Sequence, residues 1–197
     1  MPKLMDPQKR VLIVQAAQEL FSKYGFKKTT VDEIAQNVGI AKGTIYLYFK
    51  NKEQLLIRIG MNSLLASQEG LIREVSQIED PSRRLQRIIE NKAKDMFRFY
   101  EEFPDAIKII PYLRKEDIVQ EGGQTYFDNH THLLRDALGL GIEQGRYRIG
   151  DLDAMVEHIC FMTKAFDPPH KVPKTFAEIK IQLDLYIKLL LEAIEGK

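Results

Sequence analysis

Residues 29–54 read TTVDEIAQNVGIAKGTIYLYFKNKEQ, and their punctuation decides the kind of fold. Thr30 followed three residues later by Glu33 is a capping box, in which the hydroxyl and the carboxylate satisfy orphan amides at a helix start. A helix is therefore predicted from about Val31, with Val31, Ile34, Ala35 and Val38 at helical spacing and Gly39 ending it in a left-handed conformation. A second short helix follows from about Lys42 to Phe49. Two such helices joined by a glycine turn share little core, and the arrangement serves to lay the second one in a major groove.

On that second helix Ile45 and Phe49 lie four apart and face inward, leaving Lys42, Thr44, Tyr46 and Tyr48 outside. A lysine can meet a phosphate or a guanine edge, a threonine a phosphate or a thymine methyl, and tyrosine hydroxyls the DNA backbone. Asn51 caps a third helix whose first turn holds Lys52, a cation beside amide donors that suits a phosphate. Any one of these side chains alone reads as an ordinary solvated residue. Together, at this spacing, they point to DNA.

From about Arg10 to Leu56 the chain resembles the DNA-binding domain of the TetR family of bacterial transcription regulators. The resemblance rests on Ala17, Leu20 and Phe21 with Tyr24-Gly25-Phe26, then Thr29-Thr30-Val31, Ile34-Ala35, Gly39, Lys42-Gly43-Thr44, Tyr46, and Tyr48-Phe49 leading to Lys52. It implies that Thr30, Tyr48 and Lys52 hold phosphates while Lys42, Gly43, Thr44 and Tyr46 lie in or beside the major groove. It further implies a repressor that binds a palindromic double-stranded operator as a homodimer and is released by a small apolar or amphipathic effector. Two positions depart from the family's habit: Ala41 stands where Ser is frequent, removing a side-chain cap, and Leu47 where a second aromatic is common.

The chain has 197 residues and a formal net charge of +1, so it does not advertise a polyanion partner as a whole. The distribution does: residues 1–52 carry nine Lys or Arg against four acids, a net +5, and the remainder carries −4. A single cysteine excludes an internal disulfide; with no leader-like segment and no apolar run of bilayer length, a soluble protein of a reducing cytoplasm, without membrane contact, is expected. Asn129-His130-Thr131 matches a glycosylation sequon, idle in that setting.

Apolar residues recur at three and four throughout, so an all-α fold is predicted, with a helix-turn-helix DNA-binding domain at 1–52 and a larger helical effector-binding and dimerisation domain at 53–197. The first helix starts at Asp6-Pro7, runs through Val11, Val14, Ala17, Leu20 and Phe21, and stops at Gly25. Long helices are expected over 52–77 and from Pro81, a short one from Pro104, a segment softened by Gly122-Gly123, a helix over 151–166, interruption by Pro168, Pro169 and Pro173, and a last helix capped by Thr175 and Glu178.

That last helix carries one narrow polar stripe, Lys180, Asp184, Lys188 and Glu192, and is apolar elsewhere, more than one core-facing stripe requires. A two-fold partner copy is the economical cover for the surplus, through Met155, Ile159, Met162, Phe166, Leu183, Tyr186, Leu190 and Ile194. The alternative is a central helix of a monomeric bundle. A ligand pocket is expected from Leu64, Met96, Tyr100, Phe103, Ile107, Ile110, Phe127, Leu134 and Phe161, residues that singly read as well as plain core. Gly139 and Gly141 inside a helical stretch would permit close packing or a cavity.

No metal, cofactor or enzymatic activity is expected. His130 and His132, two apart, point about 200 degrees from one another on a helix, and no zinc, P-loop or dinucleotide motif is present. The alternatives to a regulator are a helical protein-interaction module without DNA binding, or an enzyme using the body cavity.

Overall fold

The computed structural model describes residues 6–168 and 175–195; Pro169 and Pro173, expected to interrupt the chain, lie outside the described residues. The helices are α1 (Pro7–Tyr24), α2 (Val31–Val38), α3 (Lys42–Tyr48), α4 (Lys52–Val75), α5 (Pro81–Glu102), α6 (Lys115–Ile118), α7 (Gln124–Glu143), α8 (Leu152–Thr163) and α9 (Phe176–Ile194), with short 3-10 and π turns between some of them. Among the described residues there is no strand, only an isolated antiparallel bridge between Tyr147 and Glu195. The fold is all-α, and it forms two compact units: residues up to Ser63 with Phe99–Gln124, and Leu64–Arg98 with the chain from Thr125 onward.

In the first unit α1 packs on α2 and α2 on α3. The Asp6 carboxylate accepts the Gln8 amide at 2.9 Å, and the amide of Gly25 closes the helix on the Phe21 carbonyl at 2.9 Å. The buried face of α1 is Ile13, Val14, Ala16, Ala17 and Phe21, whereas Val11, expected inside, is 54% exposed. The reason is phase: Val11 lies six residues before Ala17 and so about 240 degrees around the helix from the centre of the buried face. The capping box of α2 forms as expected, and Gly39 takes φ 74°, ψ 35°, where its amide meets the carbonyls of Ala35 and Gln36. A side chain there would be strained, so glycine makes the turn.

A strap of residues 99–124 completes this unit. The buried Glu121 carboxylate pairs with Arg10, and the Glu121 carbonyl accepts from Arg58 Nη1 at 3.0 Å. Asp105 accepts the Lys27 amide at 3.2 Å, and Glu102 the Ser22 hydroxyl at 3.3 Å. The segment expected as a helix from Pro104 is instead a pair of 3-10 turns, and Gly122, at φ 106°, marks the expected break before α7.

The second unit buries Leu71 and Val75 of α4, Leu85, Ile88 and Ile89 of α5, Leu134 and Leu138 of α7, Ile159 of α8, and Leu183, Ile187 and Leu190 of α9 in one cluster. Gly141 answers the expectation of close packing, because a Cβ there would run into the Tyr147 ring, while Gly139 meets nothing. The expected capping box at Thr175 and Glu178 starts α9.

Candidate nucleic-acid interface

On α3 the division between inside and outside follows the helical period. Ile45 and Phe49 are each 1% exposed, while Lys42, Gly43 and Tyr46 face solvent and Thr44 and Tyr48 are half-buried. Ala41 makes no side-chain cap, in keeping with the loss of a hydroxyl there. Leu47 is the most open apolar residue of this helix at 69%, a feature that the sequence marked only as a missing aromatic.

Four of the expected contact residues, Thr30, Lys42, Tyr48 and Lys52, have a neighbour that sets what they can still do. Lys42 Nζ lies 2.6 Å from Asp32 Oδ2, a pairing that raises the lysine pKa through the hydrogen bond and the adjacent charge. Both partners are exposed, so water and salt screen the pair and a phosphate can compete for the ammonium. Thr30 caps α2 reciprocally: its hydroxyl accepts the Glu33 amide at 3.2 Å, while Glu33 Oε2 accepts the Thr30 amide at 2.7 Å and the Thr30 hydroxyl at 2.9 Å, and the latter two bonds hold the Glu33 carboxyl below its ordinary pKa.

Tyr48 Oη accepts the Asp6 amide at 3.0 Å, so the hydroxyl proton still has a donor role to play. Lys52 is the most committed of the set. Its ammonium donates to the carbonyls of Phe26 at 2.7 Å and Thr29 at 2.8 Å and sits 4.2 Å from the Phe26 ring centre, which leaves one N–H. Partial burial pulls its pKa down. It pins the turn before Thr30 as well as offering a charge. The seven expected contacts thus all belong to the first unit.

The expected pocket residues are divided between the two units. Leu64, Met96, Phe127, Leu134 and Phe161 belong to the second unit, whereas Tyr100, Phe103, Ile107 and Ile110 belong to the first. Ile107 is 39%, Phe127 46% and Phe161 71% exposed, so none of the three lines an interior. The buried faces of α7 and α8 run through Tyr126, His130, Leu133, Leu134 and Ala137, and through Val156, Ile159 and Thr163, which turns Phe127 and Phe161 outward.

Of the expected dimer face only Met162 is exposed, and the other residues turn inward. Ile159, Leu183, Leu190 and Ile194 are core residues of their own unit, and Met155, Phe166 and Tyr186 pack half-buried against that core. The inward stripe of α9 is Ile179, Leu183, Ile187, Leu190 and Ile194, so the surplus apolar residues two positions further on face out: Ile181 at 68%, Leu185 at 51% and Leu189 at 55%. Phe161 and Met162 of α8 are exposed with them. An open groove of about 480 Å³ lies beside Leu189, lined also by Ile149, Met155, His158 and Tyr186. The Tyr186 hydroxyl has no hydrogen-bond partner among the described residues, and burial pushes its pKa up to about 12.

Sequence reasoning missed a polar interior. Gln68, Asn91, Asp95 and His130 of the second unit are all buried. The signal was present: Asn91 and Asp95 continue the face of Ile88, and His130 follows Tyr126 by four. Asn91 Nδ2 donates to Asp95 Oδ2 at 2.8 Å, and burial raises the Asp95 pKa. Burial, with Lys92 nearby, lowers that of His130 to about 4, so the imidazole is neutral. No group of three or more His, Cys, Asp or Glu that could hold a metal is found among the described residues.

Comparison with known proteins matches residues 13–59 to the family described as bacterial regulatory proteins, tetR family. The uncharacterized HTH-type transcriptional regulator YerO of Bacillus subtilis (strain 168) is 34% identical over 169 residues, which take in 77% of this chain and 53% of that protein. The chain spans about half the length, or less, of the curated relatives it matches first. The crystal structure of the TetR family regulator PfmR from Thermus thermophilus superposes with a TM-score of 0.52 at 25% identity, covering 91% of this chain and 97% of that one. The regulator FadR from Bacillus subtilis, solved with stearoyl-CoA, shares the fold with a TM-score of 0.60 at 21% identity, covering 92% and 95%.

Proposed function

We propose that this chain is a TetR-family regulator, a cytoplasmic, ligand-responsive repressor that binds a palindromic operator as a homodimer; the match of residues 13–59 to the family of bacterial regulatory proteins, tetR family, supports the reading. The observation that carries the reading is the outer face of α3, where Lys42, Thr44 and Tyr46 stand around Gly43 over the buried Ile45 and Phe49. In this reading residues 1–52 bind DNA: Lys42, Gly43, Thr44 and Tyr46 address the major groove, and Thr30, Tyr48 and the remaining N–H of Lys52 address phosphates. Residues 53–197 take the effector and the second copy.

A second copy suits the face of Ile181, Leu185 and Leu189 on α9 with Phe161 and Met162 on α8, because a row of large apolar side chains is stabilised by leaving water. The adjacent groove and the unpaired Tyr186 hydroxyl are satisfied by the same partner. A two-fold axis there sets two copies of α3 at one spacing, and operator half-sites about 34 to 36 Å apart, or a multiple, demand such a spacing. An effector in the body changes operator affinity through a coupling of about 1 to 3 kcal/mol, and the operator weakens the effector equally. FadR, a chain of like fold, holds stearoyl-CoA, which supports a small molecule as effector.

Titration of duplex DNA against salt is the test. A regulator with this face loses affinity steeply as salt rises, since bound lysines release counterions from phosphates. A salt-independent interaction, or sedimentation as a monomer at micromolar concentration, overturns it.

A further inference from the structure

Three helices of the second unit turn polar side chains towards its interior where an apolar core would be expected: Ser67 and Gln68 from α4, Asn91 and Asp95 from α5, and Tyr126 and His130 from α7. The charges among them are paired. Asp95 Oδ1 lies 2.7 Å from Arg98 Nη2, and Lys92 Nζ lies 2.7 Å from Asp167 Oδ1. Two neutral groups are not paired. Gln68 Oε1 and His130 Nε2 are buried without a hydrogen-bond partner among the described residues, and their residues are only 3% and 4% exposed.

Both residues neighbour Tyr126, one at its backbone and one at its ring. The Gln68 amide donates from Nε2 to the Tyr126 carbonyl at 3.1 Å, and since a carbonyl only accepts, the amide cannot be turned over: its oxygen must be the unpaired atom. The His130 ring lies parallel to the Tyr126 ring at 6.3 Å. Buried polar atoms without partners are destabilising, so two of them beside one tyrosine mark a place completed by something else.

We propose that this cluster is a binding site for the polar end of an uncharged ligand carrying a hydroxyl or an amide group. The inference rests on the reading of this unit as the effector-binding body. Gln68 Oε1 requires an O–H or N–H donor, and a hydroxyl or amide supplies it while presenting a second polar function to His130 Nε2. A carboxylate brings no donor and meets Asp95; an ammonium finds each acid already paired. Either ion would be buried without a counter-charge.

The test uses four octyl compounds that differ only in the head group: 1-octanol, octanamide, octanoate and octylammonium. They are titrated calorimetrically near neutral pH into the full chain and into its Gln68→Met and His130→Phe variants. The alcohol and the amide should bind at least about tenfold more tightly than either ion, and each variant should lose about tenfold for those two, as expected for one hydrogen bond to a buried group. In the absence of ligand His130→Phe should melt about 2 to 4 °C higher, because an unpaired buried group has been removed, whereas Gln68→Met, which also gives up the bond to the Tyr126 carbonyl, should melt near the wild type; cooperative melting shows that both variants fold. Equal binding of the ions, unchanged affinity in both variants, or no binding by any of the four overturns the site. An unchanged or lower melting temperature of His130→Phe with no probe bound overturns it in favour of an internal water that already satisfies these atoms. Duplex affinity measured on the same samples answers a separate question. Alcohol binding that leaves the duplex in place supports this site and sinks the ligand-responsive reading.

Discussion

The three-helix head and the second unit are built in opposite senses. The head is apolar inside, with Ile13, Phe21, Ile34, Ile45 and Phe49 at or below 2% exposure, and polar on the outer face of α3. The second unit hides Gln68, Asn91, Asp95 and His130 inside and leaves Ile181, Leu185 and Leu189 in water. A surface that meets a hydrated polyanion keeps its charges solvated until contact. A surface that meets a copy of itself can be greasy, and an interior that receives a small molecule has to hold its hydrogen-bonding groups ready.

The largest expected effect tests which side of α9 is interior. Leu190→Glu places a charge in the core and should cost about 3 to 5 kcal/mol of folding stability, measured by urea denaturation. Leu185→Glu, on the exposed stripe, should leave the unfolding of the monomer within about 0.5 kcal/mol of wild type and dissociate the proposed dimer in sedimentation. If the two variants behave alike, the two faces have been confused.

Next comes the polar interior. The His130 imidazole titrates at about 4 in the folded chain against an ordinary 6.5, because burial and then Lys92 disfavour its charge; Asp95 and Asp167 are acids that act on its neighbour Tyr126. Between those values the unfolded chain binds a proton that the folded chain refuses. The stabilisation is therefore complete above about pH 6.5 and lost as the pH falls towards 4, a swing of about 3 kcal/mol. Urea denaturation at several pH values should show the wild type losing that much more stability than His130→Phe over this window. Parallel curves would mean that the ring is not held neutral.

The head's polar exterior gives smaller effects. Tyr46→Ala and Lys42→Ala should each weaken operator duplex binding roughly ten- to hundredfold with unchanged melting temperature. Wild-type affinity in both would remove α3 from the groove. Smallest is Gly43→Ala. Nothing lies within 4 Å of a Cβ at that position, so the methyl should stabilise α3 by about 0.5 to 1 kcal/mol while weakening the duplex, if the backbone approaches DNA there. Unimpaired binding would place Gly43 away from the interface.

The head was legible because its signals are local. Thr30 with Glu33, Gly39 and the four-residue spacing of Ile45 and Phe49 each concern one turn of helix, and each reappears in the structure. The second unit was less legible because its decisive facts are matters of phase and of distant pairing. An almost wholly apolar helix such as α9 does not declare its inner side until α5, α7 and α8 are packed against it, so Leu190 and Leu185 look equivalent in the sequence. Likewise Gln68, Asn91 and His130 read as solvated residues one at a time, and become a cluster only when three helices meet.

The strap of residues 99–124 bears on any attempt to exchange heads between relatives. A chimera that transplants residues up to Ser63 alone leaves the strap behind: the Glu121 partner of Arg10 and Arg58, the Asp105 acceptor of the Lys27 amide, and the Glu102 acceptor of Ser22. The graft would arrive with two arginines cut off from the buried carboxylate and carbonyl that they now engage. A transferable head is therefore discontinuous in the gene, two pieces inherited together and separated by thirty-five codons of the other unit, from Leu64 to Arg98.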